Sequence, residues 1–406
     1  MQEQKAHLLA MLLVAGSVTL IGAAPKAGCA NEAFAITGST SSLLPCYSDL
    51  SVLYGAEQLD TGRTPYLDAC TPSVRPCDEY PVLTMMAMWA AARSGGAIAG
   101  YMGFFWANVF LVLASVAACI WALERLGART VLFAAAPALA LYATLNWDLL
   151  AVACATLATL FLLERRSTAS GAWLGVGAAA KLYPAVLTIP FGLQRRRDGA
   201  SREGVRLVIS TLVAWAVINA GFIGATPSAW FEVFRFNRDR GADYETLWTA
   251  LCQVHVCLGT RTLNLLIPIL ATACIIVIWR RVRAGHPETP DWIFGFPIVA
   301  VIVLTGKFWS PQYALWLLPW FALTRISITA WTSYQATEVI EYFVRSAFMT
   351  GPIPAVSLRL LSVTVVVRAL LLVWCLLIWV RDPRPVVGRT EMENIALAPT
   401  TTPAHG

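Results

Sequence analysis

The chain has 406 residues, of which 57% are hydrophobic and only 13% charged, with a formal net charge of +6 at pH 7. A soluble domain carries about a quarter charged residues, so this composition cannot cover a water-facing surface of that size and excludes a soluble globular fold. The basic balance does not point to nucleic acid. The arginines cluster in short runs between apolar blocks (Arg195, Arg196 and Arg197; Arg280, Arg281 and Arg283; Arg381, Arg384 and Arg389), which marks the cytoplasmic side of a membrane protein.

In chain order the apolar blocks predict helices. About 20 apolar residues cross a bilayer as a helix, and solid runs argue against the alternation of a membrane barrel. Residues 8–24 predict a first helix, retained rather than cleaved as a signal peptide. Residues 25–80 form a long polar segment, read as the first outer loop, and residues 80–93 predict a helix lying at the outer surface or dipping partly in. Residues 103–123 then run inward, 131–145 outward and 149–163 back. Residues 171–194 begin and end beside arginines, so they predict a hairpin broken at Pro184 in Lys181-Leu182-Tyr183-Pro184. Residues 207–223 run outward, 224–262 form a second outer loop, and 263–279 return. Residues 293–304 lead to a turn at 306–312, and 313–323 run back from it. A weaker pair follows, with a polar outer patch at Glu338 and Glu341, and residues 360–380 make the last span. The sum is an all-α, polytopic transmembrane helical bundle with roughly 10–12 spans. It forms one domain over residues 1–382 with a long first outer loop, and 383–406 read as a disordered cytoplasmic tail.

Six of the ten cysteines (Cys29, Cys46, Cys70, Cys77, Cys252 and Cys257) fall in the two outer loops. An even set in an oxidising compartment predicts disulfides, and Cys252 and Cys257 are close enough in sequence to pair. Two cysteines with His255 are too few for a closed zinc site.

Charges at membrane depth are expensive and are functional candidates by default. Asp148 in Asn146-Trp147-Asp148 reads as a site residue or as a helix N-cap. Lys181, at the tip of the hairpin, reads as a site cation or as a lysine snorkelling to the interface. Lys307 reads as a site cation or an interfacial anchor, and Arg368, mid-span, as a site cation or half of a buried ion pair. Of the acids in the first outer loop, Asp49 stands at the start of an apolar helical pattern (Leu50, Leu53, Tyr54), close to the membrane surface, and Glu79-Tyr80-Pro81 holds a similar place at the loop's far end. Cations at that depth suit a phosphate, and an acid beside them suits removal of a proton from an attacking hydroxyl. That combination fits sugar transfer from a lipid phosphate. No nucleotide-binding motif is present.

Tyr47-Ser48-Asp49, Pro65-Tyr66, Glu79-Tyr80-Pro81-Val82-Leu83-Thr84, Asn146-Trp147-Asp148-Leu149 and Gly175 to Pro184, followed by Ser310-Pro311-Gln312-Tyr313 and Trp316-Leu317-Leu318-Pro319, resemble glycosyltransferase family 87. The similarity runs from about Tyr47 to Pro319. A methionine follows Thr84 where the family pattern carries glycine. The resemblance implies the GT-C fold and a transferase using a polyprenyl-phosphate sugar, with mannose or arabinofuranose as the sugar. The acceptor would be a cell-envelope glycan or glycolipid on the outer face of the plasma (inner) membrane. It implies Asp49 as general base and Lys181 at the donor phosphate, and Lys307 falls in a family motif. The stretch after Pro319 carries no such motif, and Arg368 joins Lys307 as a further candidate phosphate cation only from its charge at membrane depth. The resemblance places Glu79, Tyr80, Asn146, Asp148, Tyr183 and Gln312 in supporting or substrate-binding positions. No metal ligand set is read from the sequence, and the need for a divalent ion stays open. The partners implied are membrane lipids, the lipid-linked donor and the acceptor. The other functions weighed are a transporter or flippase of lipid-linked sugars, which broken helices and buried cations also suit, and a non-catalytic scaffold of envelope synthesis. Against the transporter stand the lack of an inverted repeat and the long outer loops rich in acids and aromatics.

Overall fold

The computed structural model describes residues 2–28, 47–71, 77–350 and 356–386. Cys29, Cys46 and the tail from residue 387 onward lie outside the described residues. Those described build helices and turns with no strand, a lone bridge joining Thr324 to Pro385. Five helical stretches among them are long and apolar enough to cross a membrane: Gln2–Ala27 (α1), Val82–Arg125, Ser201–Ala225, Thr260–Gly285 and Leu358–Arg381. The chain is a multi-pass, all-α membrane protein.

The first outer loop carries α2 (Asp49–Ala56). Val82–Arg125 comprises α3 (Val82–Ala91), a wider helical turn over Ala92–Gly96 and α4 (Ala97–Arg125), with a sharp kink at Ala99 and Gly100 in the first turn of α4. The kink needs glycine at Gly100, where φ is +56°. It also brings Gly95 and Gly103 backbone to backbone, since a Cβ on Gly95 would lie 2.1 Å from the Gly103 carbonyl oxygen. The stretch expected at the outer surface, 80–93, is therefore α3, folded back against the head of α4.

Several of the other expected spans appear as shorter or broken helices. Residues 131–145 give α5 (Val131–Ala134) and α6 (Pro137–Tyr142). Next come α7 (Asp148–Leu163) and α8 (Ser167–Ala180). Helix α7 is apolar all round and buried on nearly every face, as a central bundle helix must be. Helix α8 ends at Lys181, three residues before the expected break at Pro184; α9 (Tyr183–Val186) and α10 (Thr188–Arg197) continue the chain. Proline explains the position. Its missing N–H would have bonded the Ala180 carbonyl four residues back, and Thr84 Oγ1 of α3 takes that carbonyl instead at 2.8 Å.

Helix α11 (Ser201–Ala225) leads into the second outer loop, with α12 (Pro227–Trp230), α13 (Glu232–Asp239) and α14 (Leu247–Cys252). Disulfides join Cys252 to Cys257 and Cys70 to Cys77. Helix α15 (Thr260–Gly285) is followed by α16 (Gly295–Thr305), a turn, α17 (Ala314–Leu323), α18 (Ile328–Thr350) and α19 (Leu358–Arg381).

Two expectations about the last helices are corrected. Glu338 and Glu341 form no outer polar patch: both are fully buried on α18. Arg368 of α19 faces them, with Nε 3.5 Å from Glu338 Oε1 and Nη1 3.4 Å from Glu341 Oε2. Its guanidinium stacks 4.0 Å from the Trp309 ring. Two carboxylates capture the cation, and Arg368 is not among the residues lining the large cavity described below. Arg368→Met leaves two buried carboxylates without their cation, and such losses cost about 3–5 kcal/mol. Thermal unfolding of purified protein is expected to drop markedly for Arg368→Met. It should recover in part when Glu338→Gln and Glu341→Gln are added.

Candidate active site

A cavity of about 990 Å³ opens where α8, α16 and α17 are interrupted. Asp49, Glu79 and Tyr80 of the first outer loop line it, with Lys181, Tyr183, Lys307 and Gln312. Asn146 and Asp148 are buried behind it, holding two of these residues in place.

Asp49 is the first residue of α2, whose N-cap Ser48 accepts from Leu50 N at 3.2 Å. The loop is pinned to the turn before α7. Asp49 N donates to Leu145 O at 2.9 Å and Ser48 Oγ to Thr144 O at 2.6 Å. The Asp49 carboxylate is 6% exposed. Its Oδ1 accepts from Tyr47 Oη at 2.5 Å, and its Oδ2 from Tyr80 Oη at 3.0 Å and Asn146 Nδ2 at 2.8 Å. A carboxylate has about four acceptor sites, so three donors orient the group and leave room for one more hydroxyl.

Lys181 is freed from helix by the break described above. Its Nζ lies 3.3 Å from Asp148 Oδ2 and 5.4 Å from each of the Tyr80 and Tyr313 ring centroids. Tyr80 therefore touches both Asp49, through its hydroxyl, and Lys181, through its ring. Asp148 does not cap α7: no side chain caps that helix, and the other Asp148 oxygen accepts from Trp316 Nε1 at 2.6 Å. The Trp316 indole is stacked between Tyr183 (4.2 Å) and Tyr313 (4.0 Å), so an aromatic layer fixes the acid that fixes the lysine.

The turn after α16 carries Lys307, whose Nζ donates to the carbonyls of Arg238 (3.1 Å) and Arg240 (2.8 Å). Burial, and then the nearby Arg240, hold its ammonium below its usual range. Of the cavity-lining cations, Lys181 pairs with Asp148, Arg240 with Asp243 and Arg345 with Glu245. Lys307 has backbone carbonyls and no carboxylate within ion-pair distance among the described residues. Burial also raises the Asp243 carboxyl.

Sequence reasoning did not single out Arg240, Asp243, Glu245 or Arg345 as site residues, nor the aromatic pair Tyr313 and Trp316. The last two stand inside quoted motifs. Arg345 falls in a region with no motif, and its only signal was a charge beside the acids at 338 and 341.

Away from the cavity, a buried cluster shapes the same loop. Arg63 Nη2 bonds Asp78 Oδ2 at 2.6 Å and its Nη1 lies 3.7 Å from Glu57 Oε2. Asp78 Oδ1 accepts from Tyr66 N at 3.0 Å, Glu57 Oε2 accepts from Asp78 N at 2.9 Å, and the Tyr66 hydroxyl donates to the Tyr80 carbonyl. Tyr66 and Asp78 both have φ near +60°, a conformation costly for non-glycine residues. The cluster holds them in it.

The family model for glycosyltransferase family 87 matches residues 80–304. That stretch contains Tyr80, Asn146, Asp148, Lys181 and Tyr183, while Asp49, Glu79, Lys307 and Gln312 lie outside it. No curated protein matches the chain significantly.

The loop cluster makes stability depend on pH. Burial, with Asp78 and Glu79 nearby, raises the Glu57 carboxyl from 4.5 to about 7. The folded chain thus holds this proton where the unfolded chain has lost it. Glu57's contribution is full below about pH 4.5 and is lost as pH rises through about 7, with a total on the order of 3 kcal/mol. Glu57→Gln, which keeps an acceptor and cannot ionise, should gain on wild type in thermal midpoint as pH rises from 5 to 8. A midpoint difference flat across that range would remove Glu57 as the cause.

Proposed function

Because the chain belongs to glycosyltransferase family 87, we propose that it moves a sugar, mannose or arabinofuranose, from a polyprenyl-phosphate donor to a glycan or glycolipid hydroxyl, with inversion and with Asp49 as general base. The observation that carries this reading is the make-up of the large cavity. A carboxylate with an open acceptor site stands beside a tyrosine whose ring meets a lysine. Farther along, apolar side chains of α9, α15 and α16 (Val186, Leu263, Ile267 and Ile302) line the wall. A lipid-linked phosphate needs both a cation and an apolar path for its tail.

In the proposed step, Asp49 accepts the proton of the acceptor hydroxyl as that oxygen bonds to the anomeric carbon. The bond from that carbon to the phosphate oxygen breaks on the opposite face, and the phosphate leaves with the electron pair. Lys181 and Lys307 meet the charge that develops on it. The leaving group is already a phosphate, so no general acid is required. Tyr47, Tyr80 and Asn146 hold the base, and Asp148 holds Lys181.

The charge pattern supports an outward-facing site in the plasma (inner) membrane. Leu263 and Ile267, at the start of α15, line the cavity, whereas Arg280, Arg281 and Arg283 stand at that helix's other end. Both disulfides among the described residues lie in the loops on the cavity side.

The test is label transfer by the reconstituted full chain, with radiolabelled polyprenyl-phosphate mannose or arabinose and envelope-lipid acceptors. Asp49→Asn is expected to lower kcat by about 10²–10⁴-fold, the usual worth of a general base, with thermal stability retained. Near wild-type turnover in folded Asp49→Asn would move the base elsewhere, with Glu79 next in line.

A further inference from the structure

The Asp49 carboxylate lies between two tyrosine–cation pairs, of which the reading above uses one. Oδ2 takes the Tyr80 hydroxyl, and the Tyr80 ring meets Lys181. Oδ1 takes the Tyr47 hydroxyl, and the Tyr47 ring meets Arg345 of α18, whose guanidinium carbon lies 5.8 Å from the ring centroid. Arg345 in turn bonds Glu245 of the second outer loop through Nε.

The two sides have different neighbours. Lys181 pairs with Asp148 among the Tyr80 and Tyr313 rings, and the cavity lining includes aliphatic side chains that suit a lipid tail. Beside the Glu245–Arg345 pair the lining residues are polar and aromatic: Tyr47, Tyr244, Tyr342 and Ser346. In a displacement with inversion the attacking oxygen and the leaving phosphate lie on opposite faces of the anomeric carbon. With the phosphate on the Lys181 side, the acceptor must come from the other.

We propose that Tyr47, Glu245 and Arg345 form the acceptor subsite, and that it takes an uncharged sugar through adjacent hydroxyls. The proposal rests on the transferase reading and adds the acceptor's chemistry to it. The charges in contact with Arg345 disfavour an anionic group here. Asp49 and Glu245 set two carboxylates beside its guanidinium, Glu341, one helical turn before it, also acts on that cation, and the nearby Arg240 is paired with Asp243. A phosphate or carboxylate would meet repulsion from both acids. A pair of neutral hydroxyls can donate to Glu245 and accept from the N–H groups that Arg345 does not spend on it. The tyrosine rings offer flat apolar faces to a sugar ring.

The experiment measures binding without any donor. Full-length protein in nanodiscs is titrated with methyl α-mannopyranoside and, as the anionic counterpart, methyl glucuronide, and read by saturation-transfer NMR. Wild type should bind the neutral glycoside and discriminate against the glucuronide. Glu245→Gln and Arg345→Lys should weaken neutral binding about ten-fold or more, the scale of a lost hydrogen bond to a charged group. In turnover the same variants should raise the acceptor KM and leave the donor KM in place. Unchanged binding in both variants, stronger binding of the glucuronide, or no neutral binding by folded wild type would each overturn the proposal. The comparison of the two probes needs no variant, so it stands even where a substitution impairs folding. If wild type binds as stated yet transfers no label from either donor, the transferase reading falls and the subsite remains. If label moves while both variants bind and transfer like wild type, the subsite alone falls.

Discussion

A backbone carbonyl or amide at membrane depth has no water to bond, so it must find its partner within the protein. The cavity exists because helices stop where they would otherwise continue: between α6 and α7, at Lys181, and after α16. Each stop frees carbonyls, and in each place the donor comes from another segment. Thr84 of α3 takes Ala180 O. Ser48 and Asp49 of the first outer loop take Thr144 O and Leu145 O, and Lys26 of α1 takes Leu141 O at 2.7 Å. From the second outer loop, Asp243 N takes Lys307 O and Trp248 Nε1 takes Thr305 O at 2.8 Å. Several of the carbonyls freed at these stops thus dock the outer loops over the cavity.

The same economy governs the charges. Desolvating an ion is costly unless a partner is close, and the lining ions are held by opposite charges, aromatic faces or backbone carbonyls. Asp49 is different in kind: its three partners are neutral donors. They orient the carboxylate without supplying a counter-charge, and the nearest cations stand beyond the tyrosine rings. The interposed tyrosine rings hold Lys181 and Arg345 off the carboxylate while keeping both cations at the cavity.

The sequence made much of this legible, for identifiable reasons. Solid apolar blocks and arginine runs announce a helical membrane protein, because desolvation leaves few other solutions. Acids and cations at the edges of those blocks are rare enough to stand out, and Asp49, Asp148, Lys181 and Lys307 were picked out that way. Whether a charge at depth faces a cavity or another charge is a matter of tertiary structure. Arg368 and Arg345 show the difference: both lie in the region without motifs, and both face glutamates. Arg368 meets two acids deep between α18 and α19, whereas Arg345 sits at the cavity and reaches a loop acid 100 residues earlier. No pattern within either helix separates them. Helix breaks were also misplaced by a few residues, since a proline marks its own position and the lost bond lies four residues back.

The first outer loop carries the heaviest demand of any segment, because its two ends meet at one carboxylate. Tyr47 and Asp49 arrive from one end and Tyr80 from the other. Between them Leu50, Leu53, Tyr54, Leu59 and Tyr66 anchor the stretch in the hydrophobic core. The buried ion cluster adds a second set of ties. Arg63 joins Glu57, just past α2, to Asp78, two residues before Tyr80, and the Tyr66 hydroxyl holds the Tyr80 carbonyl. The Cys70–Cys77 disulfide closes the same turn covalently. Charged and covalent ties are directional, unlike apolar packing, and direction is what a tyrosine hydroxyl needs to stay 3.0 Å from the oxygen it orients. The loop therefore acts as a brace whose far-from-cavity residues set the geometry of its ends.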